Sequence, residues 1–99
     1  MGVTRGAIIK KLCASRPALR RYGVRRLGLF GSVAHGTSRA SSDLDFLVEF
    51  NRPTFDDYMD LKAFLESRFR RRVDLVLADS LKPRIRPAIM RQVVHVPGL

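Results

Sequence analysis

Apolar residues at Ile8, Ile9 and Leu12 fall on one helical face, and Thr4 stands where an N-cap belongs. This first helix is predicted to end near Ser15–Arg16. Pro17 then suits the first turn of a short second helix reaching Tyr22, and Gly23 stops it. Val24 to Phe30 reads as a strand ended by Gly31-Ser32, and Leu44 to Phe50 as a second strand. Two-residue alternation sends Leu44, Phe46 and Val48 to one side, and Asp43, Asp45, Leu47 and Glu49 to the other. Asn51-Arg52-Pro53-Thr54 is a turn with a helix cap. Phe55, Tyr58, Leu61, Leu65 and Phe69 follow as an apolar helical stripe able to cover a sheet face, closed by Arg70 to Arg72 at the dipole's negative end. Val73 to Ala78 is predicted as a third strand, apolar except for Asp74. A last helix opens at Lys82-Pro83 around Ile85 to Met90, strained or kinked at Pro87, and Val93 to Val96 reads as a short final strand. The order implies an α/β (α+β) fold: a small mixed sheet of about four strands with helices packed on one side.

The 99 residues suit one domain spanning 1–99, without repeats, low-complexity segments or a dividing linker. So short a chain buries little core, which makes a partner chain a natural source of further burial. No apolar run approaches the roughly 20 residues of a membrane span, and the N-terminal residues lack a signal-peptide apolar stretch. Cys13 is the single cysteine, which excludes an internal disulfide and a multi-cysteine zinc site and fits a reducing cytoplasm.

Nineteen Lys and Arg against nine Asp and Glu give a net charge of +10, which points toward anionic partners such as nucleotides or RNA. Fifteen of the nineteen are Arg, spread along the whole chain, a bias that genomic base composition also produces. The acids are instead clustered. Asp43, Asp45, Glu49, Asp56, Asp57 and Asp60 all fall between positions 43 and 60.

Three places combine into candidate chemistry: Gly31-Ser32, Asp43-Leu44-Asp45, and Asp74. Residues two apart on a strand share a face, so Asp43 and Asp45 present adjacent carboxylates. Their repulsion is relieved by a divalent cation that prefers oxygen ligands. Asp74 lies on a strand otherwise made for burial, where an unpaired acid costs several kcal/mol. If its strand lies beside that of Asp45, a third carboxylate joins, enough for two Mg²⁺ ions. Gly31 lets the backbone approach closely, and Ser32 begins a turn of helix whose free N–H groups suit a phosphate. Such a site would hold a triphosphate between a glycine turn and two metals, as phosphoryl or nucleotidyl transfer requires.

Gly31-Ser32, ten intervening residues and Asp43-Leu44-Asp45 resemble the signature of the polymerase-beta-type nucleotidyltransferases. More closely, Leu29-Phe30-Gly31-Ser32-Val33-Ala34-His35-Gly36 and Ser41-Ser42-Asp43-Leu44-Asp45-Phe46-Leu47-Val48 resemble the minimal nucleotidyltransferases. Arg72-Val73-Asp74-Leu75-Val76, Leu81-Lys82-Pro83 and Val94-His95-Val96 extend the likeness over nearly the whole chain. The resemblance implies that Asp43, Asp45 and Asp74 hold two divalent metals, with Asp74 on the catalytic one and helping to activate the acceptor. It implies that Gly31, Ser32 and Ser42 bind the nucleotide, with ATP as substrate, and that a nucleoside monophosphate passes to a hydroxyl while pyrophosphate leaves. It further implies a HEPN-domain ribonuclease toxin as partner and acceptor, with this chain as its cytoplasmic antitoxin. His35 stands where relatives commonly carry arginine, a departure that removes one charged contact to phosphate.

Other polar and aromatic residues have plainer roles. His95 is expected in the sheet or at the surface, Cys13 as an inert residue by the apolar stripe, and Tyr22 and Tyr58 as packing residues. Arg68, Arg70, Arg71 and Arg72 are expected as a solvated helix end. Three functions remain open: an Mg²⁺-dependent transferase acting on a protein, an antitoxin that neutralises by contact alone, and a basic RNA-binding module. The three acids favour the first. Direct nucleic-acid binding is not expected, because aromatic residues make up 8% of the chain, with no Trp for base stacking.

Overall fold

The computed structural model describes residues 4–31, 34 and 43–99. Helix α1 (Arg5–Ala14) is capped by Thr4, whose hydroxyl accepts from the Ala7 amide, and α2 (Arg16–Arg21) carries Pro17 in its first turn. Strands β1 (Val24–Phe30) and β2 (Leu44–Phe50) follow. Helix α3 (Phe55–Phe69) then leads to β3 (Val73–Leu77) and a 3₁₀ turn (Ala78–Ser80). Helix α4 (Arg86–Gln92) and the short β4 (Val94–His95) complete the described elements.

The sheet order is β3-β2-β1-β4. Strand β1 runs antiparallel to β2 and β4, whereas β2 and β3 are parallel. Parallel neighbours need a crossover, and α3 supplies it. The expected mixed four-stranded α+β fold is therefore present. Leu44, Phe46, Val48 and Phe50 of β2 meet Ile8, Leu12, Leu19, Leu61, Leu65 and Phe69 of α1, α2 and α3 in one core. On β1, Val24 and Leu27 both enter this core although three positions separate them. A register shift between Val24 and Arg26 reconciles this with strand alternation, because one extra residue restores the inward face.

Several boundaries differ from the sequence expectation. Strand β3 stops at Leu77, since Ala78 enters the 3₁₀ turn, and β4 is only two residues long. The last helix begins at Arg86 rather than Lys82, so Pro87 lies in its first turn. There no kink arises, because the missing N–H has no intrahelical partner to lose. Phe55 does not join the buried stripe; it is 77% exposed, at the very start of α3, beside an open apolar pocket of about 270 Å³ lined by Pro53, Thr54, Tyr58 and Leu77. The C-terminal residues close against the helices: Arg16 Nε donates to the Pro97 carbonyl at 2.6 Å and Arg20 Nη2 to that of Gly98 at 2.7 Å. No helix among the described residues is long and apolar enough to cross a membrane.

Candidate active site

Because β2 is parallel to β3 and antiparallel to β1, the starts of β2 and β3 and the end of β1 share one end of the sheet. There Asp45 is paired laterally with Asp74 on one side and with Phe30 on the other. Laterally paired residues point to the same face, so the sheet brings Asp45 and Asp74 together as expected. Asp43 lies two residues before Asp45, just ahead of β2.

Gly31 follows Phe30 with φ of +79°, a conformation that favours glycine. A Cβ built there would collide with the Asp45 carboxylate, lying 3.0 Å from its Cγ. The glycine is therefore required twice, by its backbone conformation and by the carboxylate packed against it. Ser32, Ser42 and His35 lie outside the described residues. Next along the chain, the Ala34 carbonyl accepts a 3.0 Å hydrogen bond from Arg5 Nη1, which ties α1 to the segment after the glycine turn.

The electrostatics identify Asp45 as the strained member. Burial raises its carboxyl above the ordinary value of 3.8, and the neighbouring Asp74 and Asp43 raise it further. Asp45 is half-buried, whereas Asp43 and Asp74 are exposed. The burial penalty expected at Asp74 is thus absent: β3 is an edge strand, and its Asp74 face lies away from the helices that cover Val73 and Leu75. No cluster of three or more His, Cys, Asp or Glu among the described residues is assembled as a metal cage. Asp74 and Asp43 raise the carboxyl of Asp45, a repulsion of the kind that an oxygen-preferring divalent cation relieves.

Two further residues reach the strand of Asp74: Tyr58, expected only to pack, and Glu66, which the sequence pattern did not single out. The Tyr58 hydroxyl donates to the Leu75 carbonyl at 2.6 Å, and a Glu66 carboxylate oxygen accepts from the Val73 amide at 3.1 Å. Only the edge position of β3 could have signalled them, and that depends on sheet order. Tyr22 packs as expected, with its ring 5.6 Å from Phe64, and Cys13 lies partly buried against the core. His95 is exposed in β4 opposite Gly28. Arg70 caps α3 in the left-handed conformation, and Arg68, Arg70 and Arg72 are exposed, as a solvated helix end would be, whereas Arg71 is half-buried.

With this geometry in place, the comparisons with known proteins agree on its class. Residues 9–95 match the nucleotidyltransferase domain family. The chain is 41% identical over 87 residues to the protein adenylyltransferase MntA of Thermococcus cleftensis, covering 86% of this chain and 88% of that one. A solved structure described as a minimal nucleotidyltransferase superposes with a TM-score of 0.73 at 40% identity, over 87% of this chain and 93% of the other. A variant of a toxin–antitoxin complex containing MntA superposes with a TM-score of 0.66 at 26% identity, over 98% and 74%. The fold is that of the nucleotidyltransferases. The chain belongs to the nucleotidyltransferase domain family, and within it to the minimal nucleotidyltransferases.

Proposed function

We propose that this chain, acting as one cytoplasmic domain over residues 1–99, transfers AMP from ATP to a hydroxyl of a protein partner. The partner is a HEPN-domain ribonuclease toxin, and the modification makes this chain its antitoxin. The observation that carries the reading is the lateral pairing of Asp45 with Asp74 beside the bare backbone of Gly31. The similarity to a protein adenylyltransferase and to a toxin–antitoxin complex supports the acceptor class.

In this reading Asp43, Asp45 and Asp74 would hold two Mg²⁺ ions, which when bound would supply charge neutralisation at the phosphates. Gly31 leaves room for the triphosphate to lie along the backbone, and Ser32 and Ser42 bind it. The acceptor hydroxyl oxygen bonds to the α-phosphorus, the bond between that phosphorus and the α–β bridging oxygen breaks, and pyrophosphate leaves. Asp74 helps to take the hydroxyl proton.

ATP labelled at the α-phosphorus, or separately at the γ-phosphorus, tests the reaction with the partner toxin and Mg²⁺. The proposed chemistry transfers only the α-label to the toxin. Transfer of the γ-label would make the reaction a phosphorylation, and transfer of neither would leave neutralisation by contact alone.

A further inference from the structure

An edge strand ordinarily presents a row of unpaired backbone groups, and β3 is the edge of this sheet. Alternate residues of a strand direct their backbone N–H and C=O groups to opposite edges, so Val73 and Leu75 share one edge and Asp74 faces the other. On the outer edge, α3 supplies side-chain partners. Glu66 accepts from the Val73 amide, and Tyr58 donates to the Leu75 carbonyl. The two residues flanking Asp74 are therefore both fastened to the crossover helix. On the inner side, the Leu44 amide donates to the Arg72 carbonyl at 2.9 Å, so the beginnings of β2 and β3 are joined as well.

Packing alone does not account for these bonds. Val73 and Leu75 already enter the core, with 4% and 3% exposure, and those contacts set the depth of β3 beneath α3. The ladder with β2 fixes the register of β3 but leaves its outer edge unpaired, and apolar contacts are non-directional. A short bond to a carbonyl and another to an amide two residues away fasten that edge to α3. Both half-buried side chains come from one helix, whose Leu61 and Leu65 are fully buried in the core.

We propose that Tyr58 and Glu66 are positioning residues for nucleotidyl transfer: they fasten the outer edge of β3 to α3 so that its start does not fray from β2 and Asp74 stays beside Asp45. The inference rests on the proposed role of these two acids. Loss of the clamp leaves the fold intact and lets the start of β3 fray from β2, carrying Asp74 away from Asp45. Metal binding and the chemical step suffer, while the contacts that hold the triphosphate at the Gly31 turn remain.

The test compares the full chain with Tyr58→Phe combined with Glu66→Met, and with Glu66→Gln, whose amide oxygen can still accept from Val73. Three quantities are measured: affinity for Mn²⁺ alone, kcat and KM for ATP with the toxin, and hydrogen exchange at the Val73 amide. The double variant should bind Mn²⁺ about tenfold more weakly, the low end of what losing outer-shell support costs a metal site. At saturating Mg²⁺ its kcat should fall by a similar factor while KM for ATP stays within about twofold, because the contacts at the Gly31 turn are untouched. Its Val73 amide should exchange faster, and Glu66→Gln should restore most of the protection and the Mn²⁺ affinity. Parent-like Mn²⁺ affinity in the double variant, or losses just as large in Glu66→Gln, would overturn the clamp. A parent that binds Mn²⁺ yet modifies no toxin would refute the proposed function instead, and Mn²⁺ affinity would still decide the clamp.

Discussion

Asp45 and Asp74 face one another across the parallel β2–β3 pair, and Asp45 carries the electrostatic cost of that arrangement. Burial raises its carboxyl first, followed by Asp74 and Asp43. A raised native value means that the folded chain holds this proton more tightly than the unfolded chain does. The favourable contribution is complete below the ordinary carboxylate value and is lost as pH rises through the raised one. Asp45→Asn should therefore melt higher than the parent at pH 7 in metal-free buffer, with the gap closing as the medium is acidified. Mg²⁺ should raise the melting temperature of the parent and leave the variant unmoved. A gap that widens on acidification would contradict the assignment.

Gly31 tests the same site from the other strand. Gly31→Ala places a Cβ against the Asp45 carboxylate and puts a non-glycine residue at φ of +79°. The backbone conformation alone costs about 1–2 kcal/mol. The collision is with a side chain that can rotate, so the fold survives while Asp45 is turned from its place. Thermal unfolding should report a modest loss of stability, and Mn²⁺ titration a much larger loss of binding. Parent-like Mn²⁺ affinity would show that the close approach of Gly31 to Asp45 does not matter to the site.

The alternation in β2 was legible directly, since Leu44, Phe46 and Val48 all enter the core opposite Asp45. So was the α3 stripe from Leu61 to Phe69. Features that depend on distant parts of the chain were not. Apolar neighbours made Asp74 look like a buried acid, but whether a strand face is covered depends on sheet order, and the face bearing Asp74 is exposed. Helical spacing counted Phe55 into the stripe, although the helix begins there and the side chain remains outside. The extra residue that brings both Val24 and Leu27 inward is visible only once β1 is registered against β2. Tyr58 looked like a packing residue because its hydrogen-bond partner is a backbone carbonyl, which leaves no mark in the sequence.

Gly28 makes a separate prediction about the fold. A Cβ there would run into Val93 and lie 3.3 Å from the Val94 carbonyl oxygen, so the glycine admits β4 and its approach segment beside β1. Gly28→Ala should destabilise the chain by about 1–3 kcal/mol, the usual cost of overpacking. Adding Val93→Ala should recover part of that loss, because it removes the atom in collision. Denaturant unfolding of the single and double variants measures both effects, and strict additivity would argue against the contact.

The N-cap of α3 offers a second check on the scaffold. Thr54 accepts the Asp57 amide at 3.0 Å, satisfying one of the helix's free N-terminal donors. Thr54→Ala should cost about 1 kcal/mol. Because the variant keeps both the Tyr58 bond to Leu75 and the Glu66 bond to Val73, Mn²⁺ affinity should be preserved. A fall in Mn²⁺ affinity comparable with that of the Tyr58 and Glu66 double variant would mean that general weakening of α3, rather than the clamp, controls the site.

The most direct measurement is the intact mass of the toxin after incubation with ATP, Mg²⁺ and a substoichiometric amount of this protein. Protein adenylylation predicts a mass increase of one or more AMP groups on most toxin molecules and silencing of the ribonuclease by far fewer antitoxin molecules than toxin. Asp45→Asn should produce neither result at that dose, although it can still inhibit at equal amounts by binding. Equal neutralisation by parent and Asp45→Asn at every dose, with unchanged toxin mass, would contradict nucleotidyl transfer as the means of neutralisation.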